Sequence, residues 1–363
     1  MIGKNTGLTI AFMAAGFVVL VVVVALTGSD TANQDQTVTE EAVESQYSRI
    51  LYVTNRQRTD EDSSKIRYGG ERGEVSFGKC VAEFTPIPFA ADLAEKLPFY
   101  LKEESNRISD VAELEDVDFW KELEKSAEST TSGAVVLFVH GYSYGFERNC
   151  DMAAEMQRTL EGKATVVAFS WPSNGLPSDY VSDLSDVEWS TRLLGEVIEQ
   201  LHERLGADRI RVAAHSMGSR GVVLSLMRLA GKSVDQPVIG DLVLLAPDVD
   251  TQTFTELLPT LEPFAGHITL YASDKDTPLK LSRQLSGYPR LGEAGKFLTV
   301  LKGMDTIDVS SSGRRQITGH EYFFYNHLVV ADLVELLETG APASDRTGLE
   351  QRTQDGLPYW RIE

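Results

Sequence analysis

Cysteine is scarce: Cys80 and Cys150 are the only two in 363 residues. Two cysteines so far apart, with no helpful His or Cys spacing around them, cannot build a zinc site. They leave a disulfide, if the domain is exported, or a pair of buried free thiols. Positive charge is also short, with 34 Lys and Arg against 54 Asp and Glu and a net charge of −20. Such a surface repels phosphate, which excludes nucleic acid and anionic lipid as partners. No inserted segment has the length of a lid domain, although the Ser-, Pro- and Gly-rich stretch at 175–186 is long enough to cover a site.

Long apolar runs are absent too, with one exception at residues 8–26. At about nineteen residues it is long enough to cross a bilayer as a helix. Lys4 precedes it, and Asp30, Asp35, Glu40, Glu41 and Glu44 follow it. This asymmetry predicts a cytoplasmic N-terminus and a translocated remainder. The rival reading is a cleaved signal peptide and a secreted chain, but the small-x-small sites near Thr27 are poor. Residues 1–28 are therefore expected to be a membrane anchor or signal segment. Residues 29–47 are polar, acidic and aperiodic, and are expected to be a flexible stalk. The folded domain is expected over 48–340. A tail at 341–363 would dock through Leu357, Pro358, Tyr359 and Trp360, because those apolar residues want cover.

Within the domain, short apolar runs alternate with helical periodicity. Strands are expected at 49–54, 75–84, 134–139, 165–169, 210–214, 242–245 and 267–272. The last strand is expected at 297–301, or extended through 307–309. Helices are expected at 146–160, 186–205, 254–261 and 326–337, with short helices somewhere in 90–125. Buried strands alternating with amphipathic helices mean an α/β fold, with a mostly parallel sheet covered by helices on both faces. In such sheets the chemistry collects at the strand C-terminal ends.

The chain is organised around Ala214-His215-Ser216-Met217-Gly218. An apolar strand enters it and a helical pattern (Val222, Val223, Leu226, Leu229) leaves it. Strand, sharp turn and helix with Ser216 at the apex is the arrangement of a nucleophile elbow, and its crowding calls for small residues such as Ala214 and Gly218 two positions to either side. A serine hydroxyl needs a base, and the base needs a group to orient it. Of the six histidines, His215 adjoins the serine and should point away from it. His140 follows an earlier strand, His202 is mid-helix, and His267 starts a strand at the wrong end of the sheet. His320 and His327 remain, and His320, in a Gly-flanked loop, is the better base. The acid should come from a loop between Ser216 and the base, where Asp276 leads and Asp248, Asp250 and Asp274 are alternatives. The oxyanion of an acyl-transfer intermediate needs two amide donors, and Met217 and Tyr142 are the candidates. Trp171 and Tyr180 are candidates for the substrate-pocket wall, and equally for the core.

Five segments occur in order: His140-Gly141-Tyr142, Phe169-Ser170-Trp171-Pro172-Ser173, the Ser216 pentapeptide, Ala246-Pro247-Asp248-Val249-Asp250, and the stretch from Ser273 to Ser282. With His320 they resemble the bacterial α/β-hydrolase family of unknown function within the esterase/lipase superfamily, over roughly residues 50–337. The resemblance implies an α/β-hydrolase fold with Ser216 as nucleophile, Asp276 as acid and His320 as base. It also implies export or membrane attachment, and it names no substrate. The expected function is a serine hydrolase that cleaves a small-molecule or lipid carboxylic ester through an acyl-enzyme, with no metal or cofactor. Acyl transfer, thioester or peptide cleavage with the same residues, and a non-catalytic envelope protein on the same fold, are the alternatives.

Overall fold

The computed structural model describes residues 47–59, 68–86, 104–230, 236–312 and 319–362. The apolar run at 8–26 and nearly all of the segment expected to be a stalk lie outside these residues. Among the described residues no helix is long and apolar enough to cross a membrane.

The strands are β1 (Tyr47–Arg58), β2 (Tyr68–Pro86), β3 (Glu104–Leu114), β4 (Ala134–Val139), β5 (Ala164–Ser170), β6 (Ile210–His215), β7 (Ile239–Leu245), β8 (Ala265–Ala272), β9 (Asp305–Asp308), β10 (Leu349–Gln354) and β11 (Leu357–Ile362). Among the described residues they form one eleven-stranded sheet in the order β10-β11-β9-β8-β7-β6-β4-β5-β1-β2-β3. The run from β9 to β1 is parallel throughout. Antiparallel pairing is confined to the two margins, β1-β2-β3 and β10-β11.

Every residue of β4 and β6 is buried. The alternation of the pleat divides them between two cores. Val135, Leu137, Val139, Val212 and Ala214 face one side. Val136, Phe138 and Ala213 face the other. Apolar on both faces, such strands are stable only when helices cover both sides. On the first face lie α1 (Asp116–Glu128), α4 (Thr191–Leu205), α5 (Met217–Leu229) and α6 (Thr251–Leu261). On the second lie α2 (Phe146–Thr159), the short α8 (Tyr322–Tyr325) and α9 (His327–Thr339). Two further helices, α3 (Tyr180–Trp189) and α7 (Thr277–Ser286), stand at the strand C-terminal ends.

The fold is the expected α/β-hydrolase arrangement, and several elements differ from the sequence reading. The helix expected at 186–205 is two helices, α3 and α4, that meet at Ser190. Residues 104–114, inside the stretch expected to hold short helices, are a strand. Their pairing partner on β2 decides this, not their own pattern. The last core strand is 305–308; it overlaps the extension expected through 307–309, while 297–301 is not part of it. The C-terminal residues form the hairpin β10-β11, whose Trp360 pairs with Ile307 and is buried. The two cysteines are both buried, and their thiols are free rather than joined in a disulfide.

Candidate active site

Ser216 sits between the end of β6 and the start of α5, with φ 52° and ψ −122°. An L residue enters this region only under strain, at a cost of about 1–3 kcal/mol, and persists there only where its surroundings hold it. They do. The Ser216 amide donates to Leu245 O at 3.0 Å, and its carbonyl accepts from the Asp248 amide at 3.0 Å. Both anchors belong to β7 and the turn that follows it. The small residues around the serine are required by close approach. A Cβ on Gly218 would lie 2.3 Å from His140 O, and one on Gly141 would lie 2.9 Å from the Ser216 Cβ. The turn at the end of β4 therefore packs directly on the elbow, which brings Tyr142 to the cavity beside Ser216.

Asp276 and His320 meet. Asp276 precedes α7 and its Oδ1 accepts from the Leu279 amide at 2.9 Å, a helix N-cap. Its Oδ2 lies 2.6 Å from His320 Nδ1. The carboxylate is fully buried and the imidazole nearly so. The bond assigns the proton to Nδ1 and leaves Nε2 as the acceptor nitrogen. That Nε2 is buried and makes no hydrogen bond among the described residues. Burial disfavours the imidazolium, but the charge of Asp276 and its hydrogen bond more than offset this. The His320 pKa is raised above that of a free imidazole.

The other candidate acids have different employment. Asp250 caps α6 through the Thr253 amide at 2.8 Å. Asp248 is buried and accepts from Arg290 Nε at 2.7 Å, Ser282 Oγ at 2.7 Å and Tyr180 OH at 2.8 Å. Asp274 donates its amide to Ser310 Oγ and lies outside the buried pair. The rival base, His327, begins α9.

Met217 begins α5, so its amide stands at the positive end of that helix. Neither the Met217 nor the Tyr142 amide donates to an acceptor among the described residues. Tyr180 lines the cavity beside Ser216, edge-on to Tyr142 at 5.3 Å between centroids. Trp171 does not line it. Its indole is fully buried, stacks on His140 at 4.7 Å and donates to His140 O at 2.8 Å, supporting the Tyr142 loop from behind.

Three participants escaped the sequence reading. His215, expected to point away from the serine, packs its ring 4.6 Å from the His320 ring. Burial and the neighbouring His320 hold its pKa well below the ordinary value, so it is a neutral packing partner. Arg56 is buried at the end of β1 and donates to Ser170 Oγ, Gly69 O, Ser173 O and Tyr144 O at 2.7–3.1 Å, tying together the loops that flank the site. Glu321, next to His320 in sequence, pairs with Arg148 at 2.6 Å and with the Tyr144 hydroxyl, which fastens the histidine loop to α2. Only for Glu321 did sequence offer a signal, its place beside the proposed base. Among the described residues no group of three or more His, Cys, Asp or Glu side chains is placed to hold a metal.

No curated protein matches this chain. Solved structures do, at low identity. An uncharacterized protein from Bacillus cereus is 14% identical over 62% of this chain and 69% of its own, with a TM-score of 0.36. EstE1, a thermostable carboxylesterase from a metagenomic library, is 13% identical over 57% and 78%, with a TM-score of 0.28. Phospholipase PlaB from Legionella pneumophila, in complex with thio-NAD, is 12% identical over 63% and 67%, with a TM-score of 0.30. Residues 115–337, from the start of α1 to near the end of α9, match the family described as alpha/beta hydrolase of unknown function (DUF900), and the chain belongs to that family.

Proposed function

We propose that this protein is a serine hydrolase that cleaves a carboxylic ester through an acyl-enzyme on Ser216. The observation that carries the reading is the buried Asp276–His320 pair at 2.6 Å, whose second imidazole nitrogen has no hydrogen bond among the described residues, on the same sheet rim as a serine held at positive φ. In the reaction Ser216 Oγ attacks the ester carbonyl while His320 Nε2 takes its proton. The amides of Met217 and Tyr142 receive the oxyanion. Asp276 holds the imidazole in the right tautomer and stabilises the imidazolium that forms. His320 then returns the proton to the leaving alcohol, and water releases the acid by the same route. A fluorophosphonate probe should label the wild type on Ser216 and leave Ser216→Ala unlabelled. A folded wild type that resists the probe, or labelling that survives the substitution, removes the proposal.

The apolar run at 8–26 and the acid-rich segment after it support an uncleaved anchor with the catalytic domain outside the cytoplasm. N-terminal sequencing of the membrane fraction tests this. A mature chain that begins near Gly28 or Asp30 replaces the anchor with a cleaved signal.

A further inference from the structure

A cavity of about 50 Å³ opens beside Ser216, between α3 and α7. It has room for roughly three or four waters, or a short acyl group. Its wall continues onto Leu281 and Leu285. These leucines are 53% and 68% exposed. They stand four residues apart on α7, so they share a helix face and lie about 6 Å apart along the axis. Single exposed leucines need no explanation, but an apolar ridge that continues out of a reaction cavity is a place for apolar ligand. The chemistry of the wall agrees. Its one charged side chain, Asp248, is buried and already met by Arg290, Ser282 and Tyr180. The wall therefore presents no cation to a carboxylate or phosphate and no free anion to an amine.

We propose that Leu281 and Leu285 form the acyl-chain ridge of the Ser216 site, making its substrates esters of uncharged, straight-chain carboxylic acids of medium length. The inference rests on the serine-hydrolase reading given under Proposed function. The first carbons of the acyl group occupy the small cavity, and the rest of the chain lies along α7 and covers the two leucines. Specificity is then set by the area of methylene removed from water, not by a polar anchor.

The test is a series of dissolved p-nitrophenyl esters from acetyl to octanoyl, with kcat/KM measured for the wild type and for the double variant Leu281→Ser/Leu285→Ser. The wild type should gain about two- to fourfold per methylene from acetyl to hexanoyl. The double variant should lose most of that slope, to less than about 1.5-fold per methylene on the same scale. Both side chains are exposed, so the variant should fold. Val117→Ser, at an exposed position on α1, is the control and should keep the wild-type slope. Hydrolysis of every ester with no slope in the wild type overturns the ridge and leaves the hydrolase standing. An equal slope in wild type and double variant does the same. A rate flat for dissolved esters that jumps only when they aggregate assigns the leucines to a lipid surface, and also overturns the proposal. Failure of both turnover and fluorophosphonate labelling removes the ridge together with the hydrolase.

Discussion

Asp276→Asn separates two jobs that the carboxylate performs at once. Oδ1 caps α7 at the Leu279 amide, and Oδ2 holds His320 Nδ1 at 2.6 Å. Asparagine caps a helix about as well as aspartate, so the first job survives. The second does not. The charge-assisted bond is lost, worth about 1.5–3 kcal/mol. The imidazole also loses the partner that selects its tautomer, and kcat/KM for a dissolved ester should fall by about three to four orders of magnitude. Asp276→Ala removes both jobs and should cost about 1 kcal/mol more in stability through the lost cap. The pH profile supplies an independent check. His320 must be neutral to act as base, so in the wild type kcat/KM rises with pH through a midpoint above the ordinary histidine value. Burial alone lowers that pKa and the Asp276 charge raises it, so in Asp276→Asn the limb should move to lower pH.

Stability follows with a definite sign. A histidine whose folded pKa is raised contributes stability fully below the unfolded pKa, and that contribution is lost as pH rises through the folded one. The difference in thermal midpoint between wild type and Asp276→Asn should therefore be larger near pH 6 than at alkaline pH. An Asn variant within tenfold of wild-type kcat/KM, or an acid limb that stays in place, refutes the assignment of Asp276.

Ser216→Gly should abolish labelling and turnover while raising the thermal midpoint slightly, because glycine relieves the positive φ at that position. A lower midpoint in a melting scan contradicts the strain. Arg56→Met should cost at least about 3 kcal/mol in denaturant unfolding, since it strands several buried acceptors in the flanking loops. A loss under about 1 kcal/mol would mean that solvent satisfies those carbonyls. Tyr180→Phe should cost about 1–3 kcal/mol, because its hydroxyl donates to the buried Asp248 carboxylate. A double-mutant cycle with Ser282→Ala should show coupling, because the two hydroxyls lie 3.0 Å apart and share the Asp248 carboxylate, and strict additivity would count against the network. Gly218→Ala should be destabilising by about 1–3 kcal/mol and should slow turnover, since its Cβ has no space against the carbonyls of His140 and Val139. A stable, fully active variant would show that the elbow has slack.

The features legible in sequence were those set by nearest neighbours. The short apolar runs of β4 to β8, bounded by turn residues, announce strands buried on both faces, because they are too short for helices of ordinary length. The small residues at Ala214 and Gly218 announce the elbow, because a turn that tight excludes larger ones. What only the tertiary structure decided depends on partners remote in the chain. Residues 104–114 are a strand because β2 lies beside them. Trp171 is core because the His140 ring covers it. Asp248 is withdrawn from the contest for the acid by Arg290, forty-two positions later. Arg56, just past the strand expected at 49–54, is buried where three carbonyls and the Ser170 hydroxyl converge on its guanidinium. Sequence can show that a side chain is able to donate or accept. Which distant group stands opposite is fixed when the sheet closes, and in this protein that decides which aspartate meets the imidazole.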